Sequence, residues 1–116
     1  MTTTDDLATR LRRTVLQRAP LSVPGREVVQ VLTEIPEGVE SGWHTHPGEE
    51  VGYILAGTVR MMIAGREPLL LPAGSPFLIP PGVPHDALDV GPGEGRMLST
   101  YLVAIGGQLA TLTDPP

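Results

Sequence analysis

The residues best suited to chemistry are the three histidines, and two of them, His44 and His46, stand two positions apart. Side chains two positions apart on a β-strand share a face, so both imidazoles can reach one point. Glu50 follows across the turn-forming pair Pro47-Gly48, and His85 comes from a distant part of the chain. Three imidazoles and one carboxylate suit Fe(II), Mn(II), Ni(II), Co(II), Cu(II) or Zn(II). These residues are therefore candidate metal ligands, although a His-x-His pair alone is more often a surface or core feature.

Other reactive groups are scarce. The chain has no lysine and no cysteine, which excludes Schiff-base chemistry, a lysine base, a thiolate ligand and a cysteine nucleophile. Eight arginines against 13 acidic residues give a net charge of −5, so the positive field that nucleic acid binding needs is missing. No run of 18 apolar residues predicts a membrane span, and the N-terminus lacks the apolar core of a signal peptide. We expect a soluble protein, and the missing cysteine fits the cytoplasm.

The elements that must position these side chains are short strands. Glycine (14 residues) and proline (13 residues) punctuate short apolar runs at close intervals, which predicts an all-β domain with many turns, either a sandwich, a barrel or a jelly roll. Residues 4–12 are predicted as a short helix or a loose arm, with Leu7, Ala8 and Leu11 on one face. We expect an arm at 1–12 and a barrel domain at 13–116. The predicted strands cover 13–18, 27–35, 43–46, 50–56, 58–64, 68–71, 77–79, 84–90 and 96–104.

The spacing of glycine and proline around the candidate ligands resembles that of the cupin family. Gly38-x5-His44-x-His46-x3-Glu50-x6-Gly57 is similar to the first cupin motif in every spacing. Gly74-x5-Pro80-x-Gly82-x2-His85-x3-Asp89 is similar to the second motif, with Asp89 where the family usually has asparagine. The resemblance is to the small, single-domain, metal-binding members of the quercetin-dioxygenase-like kind. It implies a jelly-roll β-barrel that holds a metal inside near its open end, with His44, His46, Glu50 and His85 as ligands. The motif spacing favours Glu50 over its neighbour Glu49.

Asp89 has two interpretations. It closes the loop before Gly91, as the usual asparagine would, or it hydrogen-bonds a ligand histidine and raises its basicity. A role as a fifth ligand is a third possibility.

The cavity walls are predicted from alternation. If Glu50 points inward, Gly52 and Ile54 do too, and Gly52 then leaves room for substrate or only relieves crowding from a facing residue. Met61, Phe77 and Ile79 line the pocket or fill the core. On the last long strand, the inward face is either that of Met97, Ser99 and Tyr101 or that of Leu98, Thr100 and Leu102.

The function expected from the ligand set and the resemblance is metal-dependent chemistry on a small molecule. An oxygenase or dioxygenase is favoured, with one divalent metal per chain and Fe(II) first among the candidates. The alternatives are a non-redox isomerase, lyase, decarboxylase or cyclase, and a non-catalytic binding module. We also expect a homodimer, because residues 1–22 and the apolar tail from Ile105 would suit a twofold interface.

Overall fold

The computed structural model of the chain describes residues 5–116. In that range a single 3₁₀ turn, Asp6–Thr9, precedes ten strands. The strands are β1 (Arg12–Pro20), β2 (Arg26–Ile35), β3 (His44–Thr45), β4 (Glu49–Ala56), β5 (Thr58–Ile63), β6 (Leu69–Pro72), β7 (Pro76–Ile79), β8 (His85–Asp89), β9 (Gly95–Ala104) and β10 (Thr111–Leu112).

The strands form two five-stranded antiparallel sheets. One has the order β1-β2-β9-β4-β7 and the other the order β10-β3-β8-β5-β6. Strands that follow one another in the chain often belong to different sheets, as β4 and β5 do, so the chain crosses repeatedly between two layers. This is a jelly roll, and the predicted all-β jelly-roll barrel is confirmed.

The core lies between the two sheets and follows from alternation along the strands. In β2 every second residue from Glu27 to Ile35 is buried, and the residues between them are half-buried. β9 alternates in the same way. The main core cluster contains Leu7, Leu11, Ile35, Ile54, Val59, Met61, Ile63, Leu71, Phe77, Ile79, Ala87, Met97 and Ala110.

The N-terminal segment differs from its prediction. The helix over 4–12 is wrong, because the only helical turn in residues 5–12 is the 3₁₀ turn, which the Asp5 side chain caps by accepting from the Leu7 N–H at 2.9 Å. Leu7 and Leu11 are buried against the barrel, whereas Ala8 is exposed. Residues 1–4 of the expected arm lie outside the described residues, and the division at 12/13 stays a prediction. In residues 5–116 no helix is long and apolar enough to cross a membrane.

The tail packs against the strand that carries the first histidine. β10, which the sequence did not predict as a strand, pairs with β3 so that Leu112 lies opposite His44. The Thr113 N–H donates to the Trp43 carbonyl at 2.8 Å and extends this pairing. The tail therefore helps to fix the position of the short β3.

Gly52 does not leave room for substrate. It lies directly opposite Phe77 in the β4–β7 pairing, and a Cβ atom at Gly52 would stand 2.0 Å from Cζ of that ring. The ring covers the glycine, so the substrate-room interpretation is wrong and the crowding interpretation holds. Phe77, Ile54 and Ile79 are buried members of the core cluster.

Candidate metal centre

Two sheets bring the predicted ligands together. His44 on β3 and His85 on β8 are direct partners in one sheet. His46 follows β3 immediately, and Glu50 reaches in from β4 of the other sheet. All four side chains are buried. One potential ligand atom from each of the three histidines lies within 4.8 Å of those of the other two.

Backbone carbonyls fix the tautomer of every histidine in the cluster. Each Nδ1 lies within hydrogen-bond distance of a carbonyl oxygen, which can only accept, so each Nδ1 carries a proton. The pairs are His44 with Gly42 at 2.6 Å, His46 with Leu109 at 2.8 Å and His85 with Val83 at 2.9 Å. In a neutral ring the lone pair is then on Nε2, the arrangement that metal-binding histidines adopt.

His44 is neutral at neutral pH. Burial, together with the nearby rings of His85 and His46, lowers the pKa of His44 to about 3. A neutral imidazole is the form that binds a metal ion.

Glu50 faces the histidines with one oxygen and the barrel wall with the other. Its Oε1 lies 3.1 Å from Nε2 of His46 and 3.2 Å from Nε2 of His85. Its Oε2 accepts from the Ser99 hydroxyl at 2.7 Å and from the Tyr101 hydroxyl at 3.2 Å. Burial by itself would raise the pKa of Glu50, but positive charge on the His46 and His85 side of its carboxyl group outweighs burial and holds that pKa well below its usual range. Glu50 is therefore a carboxylate.

The surroundings of His46 indicate that the site can hold a divalent cation. Its buried Nε2 has no hydrogen-bond partner among the described residues, although Oε1 of Glu50 is 3.1 Å away. A lone pair and a carboxylate oxygen at that distance repel each other unless a proton or a cation lies between them. Nitrogen and oxygen donors of this kind suit a first-row transition ion. The three buried histidines could therefore bind a metal.

The structure shows which face of β9 points into the barrel. Ser99 and Tyr101 of β9 are fully buried with Met97, whereas Leu98, Thr100 and Leu102 face outward and are half-buried. Both inward hydroxyl groups hold Glu50, so they belong to the site. In the sequence, the sign of this role was two hydroxyl side chains on the same face of a largely apolar strand. Period-two alternation separates the two faces but does not tell which of them points inward.

Asp89 closes a loop in the structure. Its Oδ1 accepts from the Gly91 N–H at 3.0 Å, and none of the hydrogen bonds found in residues 5–116 joins Asp89 to a ligand histidine. The interpretations as a histidine partner and as a fifth ligand are therefore not supported by the geometry.

Asp86 supports His44 instead: it accepts from the Gly42 N–H at 2.9 Å, and the Gly42 carbonyl accepts from His44. Burial raises the pKa of Asp86 to about 6.

Arg13 is a charged wall residue that the sequence did not single out. Its guanidinium donates to the Tyr101 hydroxyl at 3.0 Å and to the Thr33 hydroxyl at 2.8 Å. It also pairs with Asp5, and both side chains are buried, at 3% and 1% exposure. Arg60 and Arg96, by contrast, are exposed.

A small cavity of about 10 Å³ lies beside the histidines. Of the pocket residues predicted from sequence, Met61 lines it, and Ile54, Phe77 and Ile79 lie in the core around it. Its lining consists of Leu7, Leu11, Arg13, Thr33, Ser41, His44, Glu50, Met61, His85, Ala87, Met97 and Tyr101.

Comparison with known proteins agrees with this fold. The family model described as "Cupin domain" matches residues 31–101. No curated protein matches the chain. Among solved structures, an uncharacterized conserved protein with a double-stranded β-helix domain from Klebsiella pneumoniae superposes with a TM-score of 0.72, at 22% identity over 91% of this chain and 81% of that one.

Two further solved structures are those of named proteins. The DMSP lyase DddQ from Ruegeria pomeroyi superposes with a TM-score of 0.74, at 23% identity over 93% of this chain, which spans 54% of that protein. KdgF from Halomonas sp. superposes with a TM-score of 0.67, at 19% identity over 80% of each chain. At these identities the structures share the fold alone. Because the family model spans more than half of the chain and includes the three clustered histidines, the chain belongs to the cupin family.

Proposed function

We propose that this cupin is a metal-dependent enzyme acting on a small molecule, with His44, His46, His85 and Glu50 holding one divalent ion. The observation that carries the proposal is the convergence of three imidazoles whose Nδ1 protons are all committed to carbonyls. The unpartnered Nε2 of His46 beside a carboxylate oxygen supports it. Without a bound ion, the buried Nε2 of His46 stays unpaired, at a cost of about 1–3 kcal/mol.

Four protein ligands leave two positions of an octahedron for substrate or solvent. Fe(II) with three neutral imidazoles and one carboxylate has a net charge of about +1 and attracts anionic oxygen donors. When bound, such an ion supplies Lewis acidity and, with Fe(II), redox chemistry toward dioxygen.

The chain itself supplies few acids or bases at the site. Burial raises the pKa of Tyr101 above its ordinary value, so this phenol keeps its proton and acts as a hydrogen-bond donor. Ser99 and Tyr101 orient the carboxylate of Glu50, and the apolar side chains of Met61 and Met97 exclude water.

We propose an oxygenase or dioxygenase as the reaction class, with Fe(II) as the metal. The support is the ligand set together with the shortage of protein acids and bases. Non-redox chemistry is the second proposed reaction class, because the chain shares its fold with a protein named as a DMSP lyase.

The deciding experiment has two parts. Elemental analysis of protein purified without added metal, compared with His44→Ala, tests the metal centre, because the variant should lose the ion. Oxygen uptake by the anaerobically Fe(II)-loaded protein, with a panel of enols, thiols, quercetin and other aromatic compounds, tests the reaction class. Turnover without oxygen and with Zn(II) or Ni(II) would support the non-redox class. A ligand that binds tightly and is recovered unchanged would support a binding module.

We also propose a homodimer, and of the segments expected from sequence it uses the part of residues 1–22 that forms β1. Leu7, Leu11 and Leu109 are buried within their own chain, so they are not available to a partner. The edge strand β1 pairs only with β2 and exposes Leu16, which leaves one long strand edge for a second copy. Light scattering tests this proposal, and a monodisperse monomer would refute it.

A further inference from the structure

Residues 5–11, which we call the cover, form one wall of the cavity beside the histidines. Leu7 and Leu11 of the cover line the cavity, and the space left is about 10 Å³. That is room for about one water molecule. A substrate with several heavy atoms therefore needs the cover to move.

The cover is held by the buried side chains of Leu7 and Leu11 and by a few polar contacts. The Asp6 N–H donates to the Ala110 carbonyl at 3.2 Å, and the Leu112 N–H donates to the Asp6 carboxylate at 2.9 Å. The strongest contact is the ion pair between Asp5 and Arg13, in which Nε and Nη2 of the guanidinium both donate to Oδ2 of Asp5.

Arg13 is not part of the cover and is held in place by other strands of the barrel. It belongs to β1, and its Nη1 is fixed by hydroxyl groups of Thr33 on β2 and Tyr101 on β9. If Asp5 leaves, Nε and Nη2 lose their acceptor and remain as two donors on one edge of the guanidinium. A guanidinium edge of this kind is the arrangement that binds carboxylates bidentately.

An opened cover leaves the Arg13 guanidinium without its carboxylate partner, so the position of Asp5 then favours an anion. The replacement site is close to the metal centre, because Arg13 donates to the Tyr101 hydroxyl and that hydroxyl donates to Glu50. A divalent ion and Arg13 together outweigh the single negative charge of Glu50. The opened site therefore has an excess of positive charge.

We propose that Arg13 binds the carboxylate of the substrate in exchange for the carboxylate of Asp5. The substrate class is then a small carboxylic acid anion, held by Arg13 at one end and presented to the metal at the other. This inference rests on the proposed metal centre and adds the substrate class and its anchoring residue. Asp5 is an internal competitor that occupies the anion site while the cover is closed.

Chemical rescue tests the exchange. Asp5→Asn keeps the Oδ1 acceptor for the Leu7 N–H but removes the charge that faces Arg13, so its melting temperature should fall. Malonate should raise the melting temperature of this variant by several degrees more than that of the wild type, whereas the neutral malonamide should not. Asp6→Asn is the matched control, since Asp6 belongs to the same turn and does not contact Arg13.

A second variant keeps the test decisive if Asp5→Asn does not fold. In calorimetric titration, Arg13→Gln should weaken malonate binding by about 10- to 100-fold, the loss expected for a charge-assisted pair of hydrogen bonds. The exposed neighbour Arg12 gives the control, and Arg12→Gln should bind malonate as the wild type does. Equal malonate effects in Asp5→Asn and Asp6→Asn, or equal affinities in Arg13→Gln and Arg12→Gln, would overturn the proposal.

Metal content measured on the same preparations separates this inference from the proposed function. A metal-free protein that still shows carboxylate-dependent rescue contradicts the metal centre and supports the exchange at Arg13. A metal-loaded protein without rescue contradicts the exchange and supports the metal centre.

Discussion

Ser99→Ala probes how the carboxylate of Glu50, the proposed fourth ligand, is held. The Ser99 hydroxyl is fully buried and donates to Oε2 of Glu50 at 2.7 Å, the shortest of the contacts made by that carboxylate. The substitution removes one oxygen atom and leaves the strand intact. Oε2 then keeps one donor, the Tyr101 hydroxyl at 3.2 Å.

The size of the effect follows from the charge on Glu50. A hydrogen bond to a charged group contributes about 1.5–3 kcal/mol, more than one between neutral groups. The metal-free protein should therefore lose about 1.5–3 kcal/mol of unfolding free energy. Because the hydroxyl also orients Oε1 toward the histidines, metal affinity should fall by about 10- to 100-fold.

Two measurements check this prediction: urea unfolding of the metal-free protein, and competitive titration of Zn(II) or Mn(II) against a chromophoric chelator. Ser75→Ala is the control, since Ser75 is half-buried in the turn before β7 and outside the lining of the site. If Ser99→Ala binds metal within about twofold of the wild type and is no less stable than Ser75→Ala, the hydrogen bond does not hold the ligand. The Tyr101 hydroxyl and the metal would then be enough to position the carboxylate.

Three further predictions follow from the fold and the site. Gly52→Ala should cost about 1–3 kcal/mol or more in urea unfolding, because its Cβ would overlap the Phe77 ring, and Phe77→Leu should recover part of that loss. Arg18 lowers the pKa of Glu27, so their pairing stabilises the fold above the unfolded-state pKa of about 4.3 and is lost as pH falls through the folded value. Glu27→Gln should therefore flatten the fall in melting temperature between about pH 5 and 3 relative to wild type. His46→Ala should abolish metal retention in elemental analysis, and a chelator should lower the melting temperature of the wild type but not of this variant.

The histidine cluster was predictable because its geometry is mostly local. Two positions along a strand place His44 and His46 on one face, and the turn glycines and prolines fix where each strand begins. The order of the strands then brings His85 opposite His44. The spacing within each segment is displayed directly by a sequence, whereas the meeting of His85 with His44 was expected from the cupin resemblance.

The features that the sequence analysis did not predict depend on contacts between residues that lie far apart in the chain. Gly52 was misinterpreted because its facing residue, Phe77, is a partner on another strand. The inward face of β9 is set by pairing with both β2 and β4. Arg13 was missed because its side-chain partners, Asp5, Thr33 and Tyr101, come from three other parts of the chain.

The division of the ligands between two sheets has a kinetic consequence. His44 and His85 belong to one sheet and Glu50 to the other, so a bound ion would join the two layers across the core. Separating the layers would then require the ion to leave first, and its release would become part of the unfolding barrier. The holoprotein should survive heat and proteases for longer than its equilibrium stability alone implies, because its lifetime is set by that barrier.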